Sequence, residues 1–281
     1  MSASPTTRAR LSAHDADDRQ DAAYAPPLSI TMITPVFNAA GTIEQTIASV
    51  REQRVAGLQY IVVDALSTDD TPQIVARHRD LITDYVCEKD RGLYDAMNKG
   101  IARATGEIIG IINADDVLEP GALHRVADAL MRTGADYVCS DLTIMDEDGR
   151  PVRVQRAETQ WIDGRRDRFG RDWRMNIGLP HPALFVRRSV YERLGDYDLS
   201  FRLAADHDFV ARLISSGQRG TYVDAPLARF RLGGLSSNRL LDCFREDERI
   251  ARKHGLHPLL ARLIRLRKSQ YARRAMSRQN P

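Results

Sequence analysis

The segment IIGIINADD, residues 108–116, joins a strand-like apolar run to a pair of carboxylates. Ile108 to Ile112 has the length and composition of a buried strand, and the chain then changes abruptly to Asn113-Ala114-Asp115-Asp116. A strand that ends in two carboxylates presents hard oxygen ligands at the rim of a sheet, where Mg²⁺ or Mn²⁺ binds together with substrate phosphates. The alternative is that Asp115 or Asp116 only caps the helix that follows.

Strand and helix patterns alternate on both sides of this segment. The predicted strands are 29–37, 59–65, 82–88, 107–113 and 136–140, and the predicted helices between them are 42–53, 67–80, 93–104 and 119–132. Strands that alternate with helices form right-handed βαβ units, whose sheet is mostly parallel and covered on both faces. The pattern therefore predicts an α/β fold with a Rossmann-like sheet flanked by helices.

The rhythm changes after about Asp141. A hairpin is predicted over 143–154 with its turn at Asp148-Gly149, followed by helices at 189–195 and 203–217 and a last strand over 221–232. We expect this part to form a smaller region beside the sheet.

Polar residues follow the first four predicted strands at 34–38, 64–69, 88–91 and 113–116. Open α/β sheets bind ligands beyond the carboxyl ends of their strands, so these groups should converge. Neither GxxxxGK[ST] nor GxGxxG follows a strand, and a divalent cation is therefore the candidate to neutralise a bound diphosphate. Asp64 would accept a hydrogen bond from a base edge or a ribose hydroxyl, or else stabilise its own turn.

Composition indicates an ordinary soluble globular protein, with 43% hydrophobic and 28% charged residues among 281. Three widely spaced cysteines without a CxxC pair suggest neither disulfides nor zinc, which fits a cytoplasmic location. Residues 1–27 contain no apolar signal-like core and are expected to be a disordered leader. No apolar run approaches the roughly 18 residues of a membrane span.

The basic residues concentrate in the C-terminal tail, residues 241–281. From Ile250 to Pro281 there are nine Lys or Arg and no Asp or Glu. The segment 256–276 places Leu259, Leu260, Leu263, Ile264 and Leu266 among arginines, which predicts a basic amphipathic helix on the anionic inner face of the plasma membrane. The alternative is a helix whose leucines pack on the rest of the protein. From Ile250 to Pro281, Tyr271 is the single aromatic residue and no RRM, KH or zinc motif occurs, so a nucleic-acid partner is not expected.

Six ordered segments resemble the motifs of family 2 glycosyltransferases: TPVFNAAGTIEQTIASV, VVDALSTDDT, EKDRGLYDAMNKGIARATGEIIGIINADD, HPALFVRR, LAADHDFVARL and FRLGGLSS. The resemblance runs from about Leu28 to Asn238 and is closest to the bacterial polysaccharide and glycolipid branch of WcaA/WcaE-like enzymes. It implies that 28–240 is a GT-A domain. It also implies an inverting, metal-dependent transfer from a nucleotide-sugar donor, expected to be a UDP-sugar, to a hydroxyl of a glycan or lipid-linked acceptor.

The resemblance assigns donor contacts to the ends of the first two strands. Thr34, Pro35 and Phe37 match the loop around the nucleobase and ribose, and Asp64 matches the carboxylate that reads the base. The family has glycine after this aspartate, whereas this chain has Ala65, so the turn cannot rely on glycine.

The resemblance also identifies the diphosphate side of the site. Asp95 and Lys99 match the segment that lies against the nucleotide. Asp115 and Asp116 match the DXD-type motif, with one carboxylate near the ribose and one on Mg²⁺ or Mn²⁺. The motif begins with Asn113 in place of aspartate, which leaves the principal metal ligand open.

Asp206, in LAADHDF, matches the general base that deprotonates the acceptor. A helix cap is the alternative for Asp206. Asp208 should point away from it on a helix. His181 would line the acceptor side or serve the structure.

Two other functions compete with glycosyl transfer. A sugar-phosphate nucleotidyltransferase would carry a glycine-rich loop with Arg or Lys after the first strand, and TPVFNAAGT has no basic residue. A non-enzymatic nucleic-acid-binding module would depend on the basic tail, and the tail has no RRM, KH or zinc motif.

Overall fold

The computed structural model describes residues 28–159, 178–233 and 239–279. The leader predicted for residues 1–27 lies outside the described residues. The strands are β1 (Ile30–Val36), β2 (Gln59–Asp64), β3 (Asp84–Cys87), β4 (Ile108–Ile111), β5 (Val117–Leu118), β6 (Tyr137–Met145), β7 (Pro151–Gln155), β8 (Leu184–Arg187) and β9 (Gly220–Arg231). The helices are α1 (Ile43–Arg51), α2 (Thr71–Ala76), α3 (Leu93–Arg103), α4 (Ala122–Thr133), α5 (Arg188–Leu194), α6 (Ala205–Ser215), α7 (Leu240–Lys253) and α8 (Pro258–Gln279).

One sheet runs through the protein in the order β3-β2-β1-β4-β8-β6-β9-β5, with β7 paired to β6. The neighbours β3, β2, β1 and β4 are parallel, whereas β8 is antiparallel to both β4 and β6. Because β8 is antiparallel to both of its neighbours, β6 runs in the same direction as β4, and β9 is parallel to β6. The predicted α/β fold with a mostly parallel sheet is therefore confirmed. The inserted strand β8 was not predicted, because its apolar core of three residues is too short to show a period.

The sheet is covered on both faces, and alternate residues of each strand point to opposite faces. Tyr60 and Val62 of β2 pack in the cluster that contains residues of α1, α2 and α4. Ile61 and Val63 pack in the cluster that contains residues of α3, α5 and α6. Burial on both sides explains why these strands are continuous apolar runs instead of alternating patterns.

The C-terminal helices pack on this core. Ile250 of α7 is fully buried in the same cluster as residues of α6. Helix α8 packs on α7 through Ala251, Leu256 and Ala261, with Ile264 against them. None of the helices within the described ranges is both long and apolar enough to cross a membrane.

The β4–β8 pair depends on a glycine at its centre. Gly110 lies opposite Phe185, and a Cβ at Gly110 would lie 2.5 Å from that ring and 2.7 Å from the Met32 sulfur. Phe185 is almost wholly buried and cannot move aside without disturbing the core.

We expect Gly110→Ala to lower the free energy of unfolding by about 1–3 kcal/mol, because overpacking forces side chains off their rotamers. Urea unfolding followed by circular dichroism measures this change. Gly41→Ala is the matched control, since a Cβ at Gly41 meets no atom within 4 Å. Equal stability of the two variants would contradict the packing argument.

Candidate active site

Four strand ends form one edge of the sheet. The parallel register pairs Val36 with Asp64 and Asp64 with Cys87, and β4 lies on the other side of β1. The loops that follow β1 and β2 are joined by hydrogen bonds. The Thr68 N–H donates to Asn38 Oδ1 at 2.8 Å, and the Ala40 N–H donates to Asp69 Oδ2 at 2.9 Å. The polar groups predicted to converge therefore share one rigid edge.

Asp64 is completely buried at the end of β2. Its Oδ1 accepts the N–H and the hydroxyl of Ser67 at 2.8 and 2.7 Å, and its Oδ2 accepts the Tyr85 hydroxyl at 2.6 Å. The turn contains its left-handed residue at Leu66, with φ of 62°, and not at Ala65. Alanine in place of the family's glycine is therefore compatible with this turn. Tyr85 was not predicted from sequence, because only the fold brings β3 beside Asp64.

The remaining residues assigned to the nucleobase differ in exposure. Thr34 and Pro35 are buried in β1, and Thr34 Oγ1 lies 3.0 Å from the Tyr60 hydroxyl. Phe37 is 61% exposed, and Leu66 of the adjoining loop is 49% exposed. Two exposed apolar side chains at the sheet edge provide a surface on which a flat base can lie, while Thr34 supports the strand beneath them.

Asp95 and Lys99 of α3 stabilise the segment that follows β3. Asp95 accepts the Arg91 N–H at 3.0 Å and its guanidinium at 2.8 Å, and these bonds lower the pKa of Asp95. Lys99 Nζ lies 3.0 Å from Glu88 Oε1 and donates to the Lys89 carbonyl at 2.7 Å. Gly92, with φ of 125°, is the N-cap residue of α3 and precedes both of them in the chain. The structure brings both predicted residues to one turn at the sheet edge.

The carboxylates of the NADD turn occupy different environments. Asp116 is fully buried and accepts the Arg231 N–H at 3.0 Å and the Asn113 amide at 3.2 Å. Burial and the charge of Asp115 raise the pKa of Asp116 well above its usual range. Asp115 is partly exposed, and burial raises its pKa. Neither residue caps α4, which begins at Ala122 after Gly121.

Arg231, at the end of β9, fixes this turn from the opposite side. Its guanidinium donates to the Asp115 carbonyl at 3.0 Å, the Glu147 carbonyl at 2.6 Å and Gln45 Oε1 at 2.7 Å. Sequence analysis did not single it out, although it belongs to the FRLGG segment. Its contacts join residues far apart in the chain, which no local pattern reveals.

The donor atoms at this turn suit a divalent cation. Asn113 Oδ1 is a buried oxygen without a hydrogen-bond partner in the described part of the chain, and it adjoins the Asp115–Asp116 pair. Within the same residues, no three His, Cys, Asp or Glu side chains form a metal-binding group. Asp115, with Asn113 beside it, would therefore hold Mg²⁺ or Mn²⁺ only with substrate phosphates in the remaining positions, as is usual for Mg²⁺.

Asp206 lies at the same edge because it accepts the Tyr94 hydroxyl at 2.7 Å. Tyr94 is in the first turn of α3, directly after the segment that follows β3. Helix α6 begins after Ala204 without a side-chain cap, so Asp206 is not the N-cap. The carboxylate of Asp206 is partly exposed, as a group that contacts a substrate must be.

His181 belongs to the same cluster as Asp206. Its Nε2 lies 2.8 Å from the Tyr197 hydroxyl, and the Tyr197 ring centroid is 5.5 Å from that of Tyr94. Burial lowers the pKa of His181 against the opposing charge of Asp206, so the ring is neutral near pH 7. The two tyrosines that connect these residues, Tyr94 in α3 and Tyr197 in the loop after α5, were not predicted, because buried aromatic residues usually signal core packing.

Asp208 points away from this cluster, as predicted. It is fully buried and contacts Arg212 at 3.0 Å, Lys253 at 2.9 Å and His254 at 3.1 Å. Burial opposes its ionisation, but the bonds from His254 and Lys253 leave the pKa of Asp208 at about 2. Asp208 is therefore part of a structural ion network.

Comparison with known proteins places these features in a family. The sequence profile of glycosyl transferase family 2 matches residues 31–195. A PGL/p-HBAD biosynthesis glycosyltransferase of Mycobacterium bovis (strain BCG / Pasteur 1173P2) is 31% identical over 234 residues, which cover 78% of this chain and 82% of that protein. The succinoglycan biosynthesis protein ExoO of Rhizobium meliloti (strain 1021) is 26% identical over 251 residues, or 83% of this chain and 71% of ExoO.

Solved structures agree with the fold. S. aureus TarS in complex with UDP-GlcNAc gives a TM-score of 0.63 at 17% identity, covering 83% of this chain and 69% of that one. The mannosyltransferase PcManGT of Pyrobaculum calidifontis, in complex with GDP-Man and Mn²⁺, gives 0.56 at 23% identity, covering 83% and 68%. The match with these GT-A structures confirms the predicted GT-A fold.

Asp208→Asn should destabilise the protein by about 3 kcal/mol near neutral pH, because it removes the buried negative charge that Arg212, Lys253 and His254 contact. Since the folded pKa of Asp208 is about 2 and the unfolded value about 4, its contribution exists above pH 4 and is lost as pH falls toward 2. The stability gap between wild type and variant should therefore narrow on acidification. Urea unfolding at several pH values measures this difference in stability. Asp206→Asn is the control variant, and the difference in stability between it and the wild type should stay small at every pH.

Proposed function

The chain belongs to glycosyl transferase family 2, and we propose that it transfers a hexosyl or N-acetylhexosaminyl group, with inversion, from a UDP-sugar to a hydroxyl of a glycan or lipid-linked acceptor. The observation that carries the proposal is that the Asp115 turn and the Asp206–Tyr94 pair occupy one edge of the sheet. A metal-binding carboxylate and a separate, accessible base are the two groups that such a displacement needs.

The donor side is supported by its shape and its relatives. The exposed Phe37 and Leu66 suit a base, and the Asn113–Asp116 turn suits a diphosphate that shares a cation. TarS, with a similar fold, is known in complex with UDP-GlcNAc, which favours UDP as the nucleotide. We assign Asp64 to the wall of the base pocket, where Ser67 and Tyr85 fix its carboxylate.

Asp206 would accept the proton of the attacking hydroxyl while the oxygen bonds to the anomeric carbon and the diphosphate leaves. The Tyr94 hydroxyl orients one carboxylate oxygen and leaves the other for the acceptor. Asp115, with Asn113, would hold Mg²⁺ or Mn²⁺, which when bound supplies Lewis-acid stabilisation of the leaving diphosphate. Neutral His181 would line the acceptor side beside Asp206.

The acceptor side includes a surface that suits a lipid-linked substrate. Leu259 and Leu263 of α8 are 67% and 64% exposed, and Leu260 and Leu266 are also exposed, whereas Ile264 packs inward. At about 100° per residue, Leu259, Leu263 and Leu266 share one stripe of the helix. Exposed Arg262 and Arg267 flank it. Leucines between arginines favour an anionic membrane, so we place the enzyme at the inner face of the plasma membrane.

The enzymatic proposal predicts metal-dependent release of UDP. Purified protein with Mn²⁺, a panel of UDP-hexoses and UDP-N-acetylhexosamines, GDP-mannose and n-decyl glycosides as acceptors should release UDP, and excess EDTA should abolish turnover. Asp115→Asn should lower kcat/KM by about 10²–10³-fold, since the leaving group loses its counter-charge. Asp206→Asn should lower kcat by about 10²–10⁴-fold with UDP affinity unchanged.

Full turnover in EDTA would refute the metal site. If Asp206→Asn turned over substrate at the wild-type rate, Asp206 would not be the general base. Glu192→Gln is the control for a carboxylate outside the site, because Glu192 is exposed on α5 and pairs with Arg188, so it should retain wild-type kcat. Release of GDP instead of UDP would show that the nucleotide of the donor is GDP.

The leucine stripe predicts binding to anionic vesicles. Leu259→Ser with Leu263→Ser should weaken sedimentation with phosphatidylglycerol vesicles at low salt by about tenfold, because binding scales with inserted apolar area. Val152→Ser with Val154→Ser is the matched control, since those valines are exposed on β7, which is not part of the tail. Equal sedimentation of both double variants, or none by the wild type, would rule out this surface as the anchor.

A further inference from the structure

We propose that Glu246, on α7, is a positioning residue for the general base. Its Oε1 accepts the Arg202 N–H at 2.9 Å, and its Oε2 accepts the N–H groups of Leu203 and Ala204 at 2.8 and 2.9 Å. These three consecutive amides immediately precede α6, the helix that carries Asp206. The proposal rests on the assignment of Asp206 as the base.

The start of α6 has no cap of its own. Its N-cap residue is Ala204, whose side chain has no oxygen to accept a backbone N–H. Helix N-termini present unpaired N–H groups and a positive dipole end, and a carboxylate satisfies both. Glu246, 42 residues beyond Ala204, binds the N–H of this N-cap residue and also the N–H groups of the two residues before it, so the position of α6 depends on α7.

Further bonds join the same turn of α6 to the C-terminal helices. His207 Nδ1 lies 2.5 Å from Asp247, and Asp247 lies 3.4 Å from Lys268 of α8. Asp208 contacts His254 at 3.1 Å. The residues on both sides of Asp206 are thus held by α7 and α8, while the Asp206 side chain itself is held by Tyr94 of α3.

Helix α7 also lies directly beside the base. Burial, together with the charges of Asp247, Asp206 and Glu246, raises the pKa of the Cys243 thiol of α7 to about 11. Arg249 adds a second contact to the preceding turn, since its guanidinium lies 4.7 Å from the Phe201 ring centroid. A shift of α7 would therefore move the turn that orients Asp206.

This arrangement separates base positioning from donor binding. The donor pocket is built from the loops after β1, β2 and β4, which are held by Asp64, Asp116 and Arg231. Loss of the Glu246 carboxylate should therefore reduce kcat and leave the donor KM and the affinity for UDP unchanged. A general loss of folded structure would change all three.

The test compares a graded series with a matched control in the full-length protein. Glu246→Ala removes all three bonds, and displacement of a catalytic group by about 1 Å can reduce a rate by about 100-fold. Glu246→Gln places an NH₂ group against one of the three donors, so an intermediate loss of kcat, about tenfold, is expected. Glu248→Gln is the control, because Glu248 is two residues along α7 and bonds Arg265 of α8, not α6.

Two readouts are needed. The first is steady-state kinetics, kcat and KM, with the donor that the UDP-release panel identifies. The second is hydrogen exchange of the amides of residues 202–204. Faster exchange with a graded loss of kcat at constant KM supports the proposal, provided that Glu248→Gln changes neither. Faster exchange with wild-type kcat, or unchanged exchange, overturns it. If wild-type protein releases no nucleotide from any donor, the proposed function fails and the positioning role fails with it, whereas the exchange data still report the Glu246 bonds.

Discussion

The buried carboxylate of Asp116 is the constraint on which the donor side depends. It joins the turn after β4 to the backbone of Arg231, at the end of β9, 115 residues further along the chain. An ionised or protonated carboxyl in this position needs donors on every side, because an unsatisfied buried polar group costs about 1–3 kcal/mol or more. The bonds from Asn113 and Arg231 meet this need, and they leave Oδ1 of the Asn113 side chain and the Asp115 carboxylate as the turn's remaining ligand atoms.

The same principle appears twice more at the sheet edge, each time with a tyrosine. Tyr85 donates to Asp64 and Tyr94 donates to Asp206, at 2.6 and 2.7 Å. A tyrosine hydroxyl on a rigid ring fixes the direction of a carboxylate without adding a positive charge. Around a diphosphate and a cation this matters, because an arginine in the same place would compete with the metal for the substrate.

Much of the fold was predictable from sequence because it depends on local patterns. The strands β1, β2 and β4 and the helices α1, α3 and α4 follow apolar periodicity and lie within a few residues of the predicted bounds. Helix α2 is shorter than predicted, since residues 67–69 bond the loop after β1 and cannot be helical. Strand β8 was missed because its antiparallel insertion between β4 and β6 is a property of the sheet and not of its own sequence.

The aspartates of the candidate site were predicted from sequence, whereas the residues that hold them in place were not. Asp64, Asp115 and Asp206 were assigned from sequence because they match the motifs of the family at strand ends and at the start of a helix. Tyr85, Arg231 and Glu246 do not, since a partner 21 to 116 residues away leaves no periodic trace. The family profile ends at residue 195, before Asp206 and the helices that hold it.

The C-terminal helices connect the exposed leucines of α8 with the helix that carries Asp206. Helix α8 presents leucines outward on one face and on the other packs against α7, whose Glu246 caps the helix of Asp206. The surface suited to a membrane and the group suited to deprotonate an acceptor are therefore two helices apart, joined by buried ion pairs instead of a flexible linker. Because α7 contributes Ile250 to the core, the orientation of α8 relative to the site is fixed by packing. An acceptor held at a lipid surface would then meet Asp206 in an orientation set by the protein.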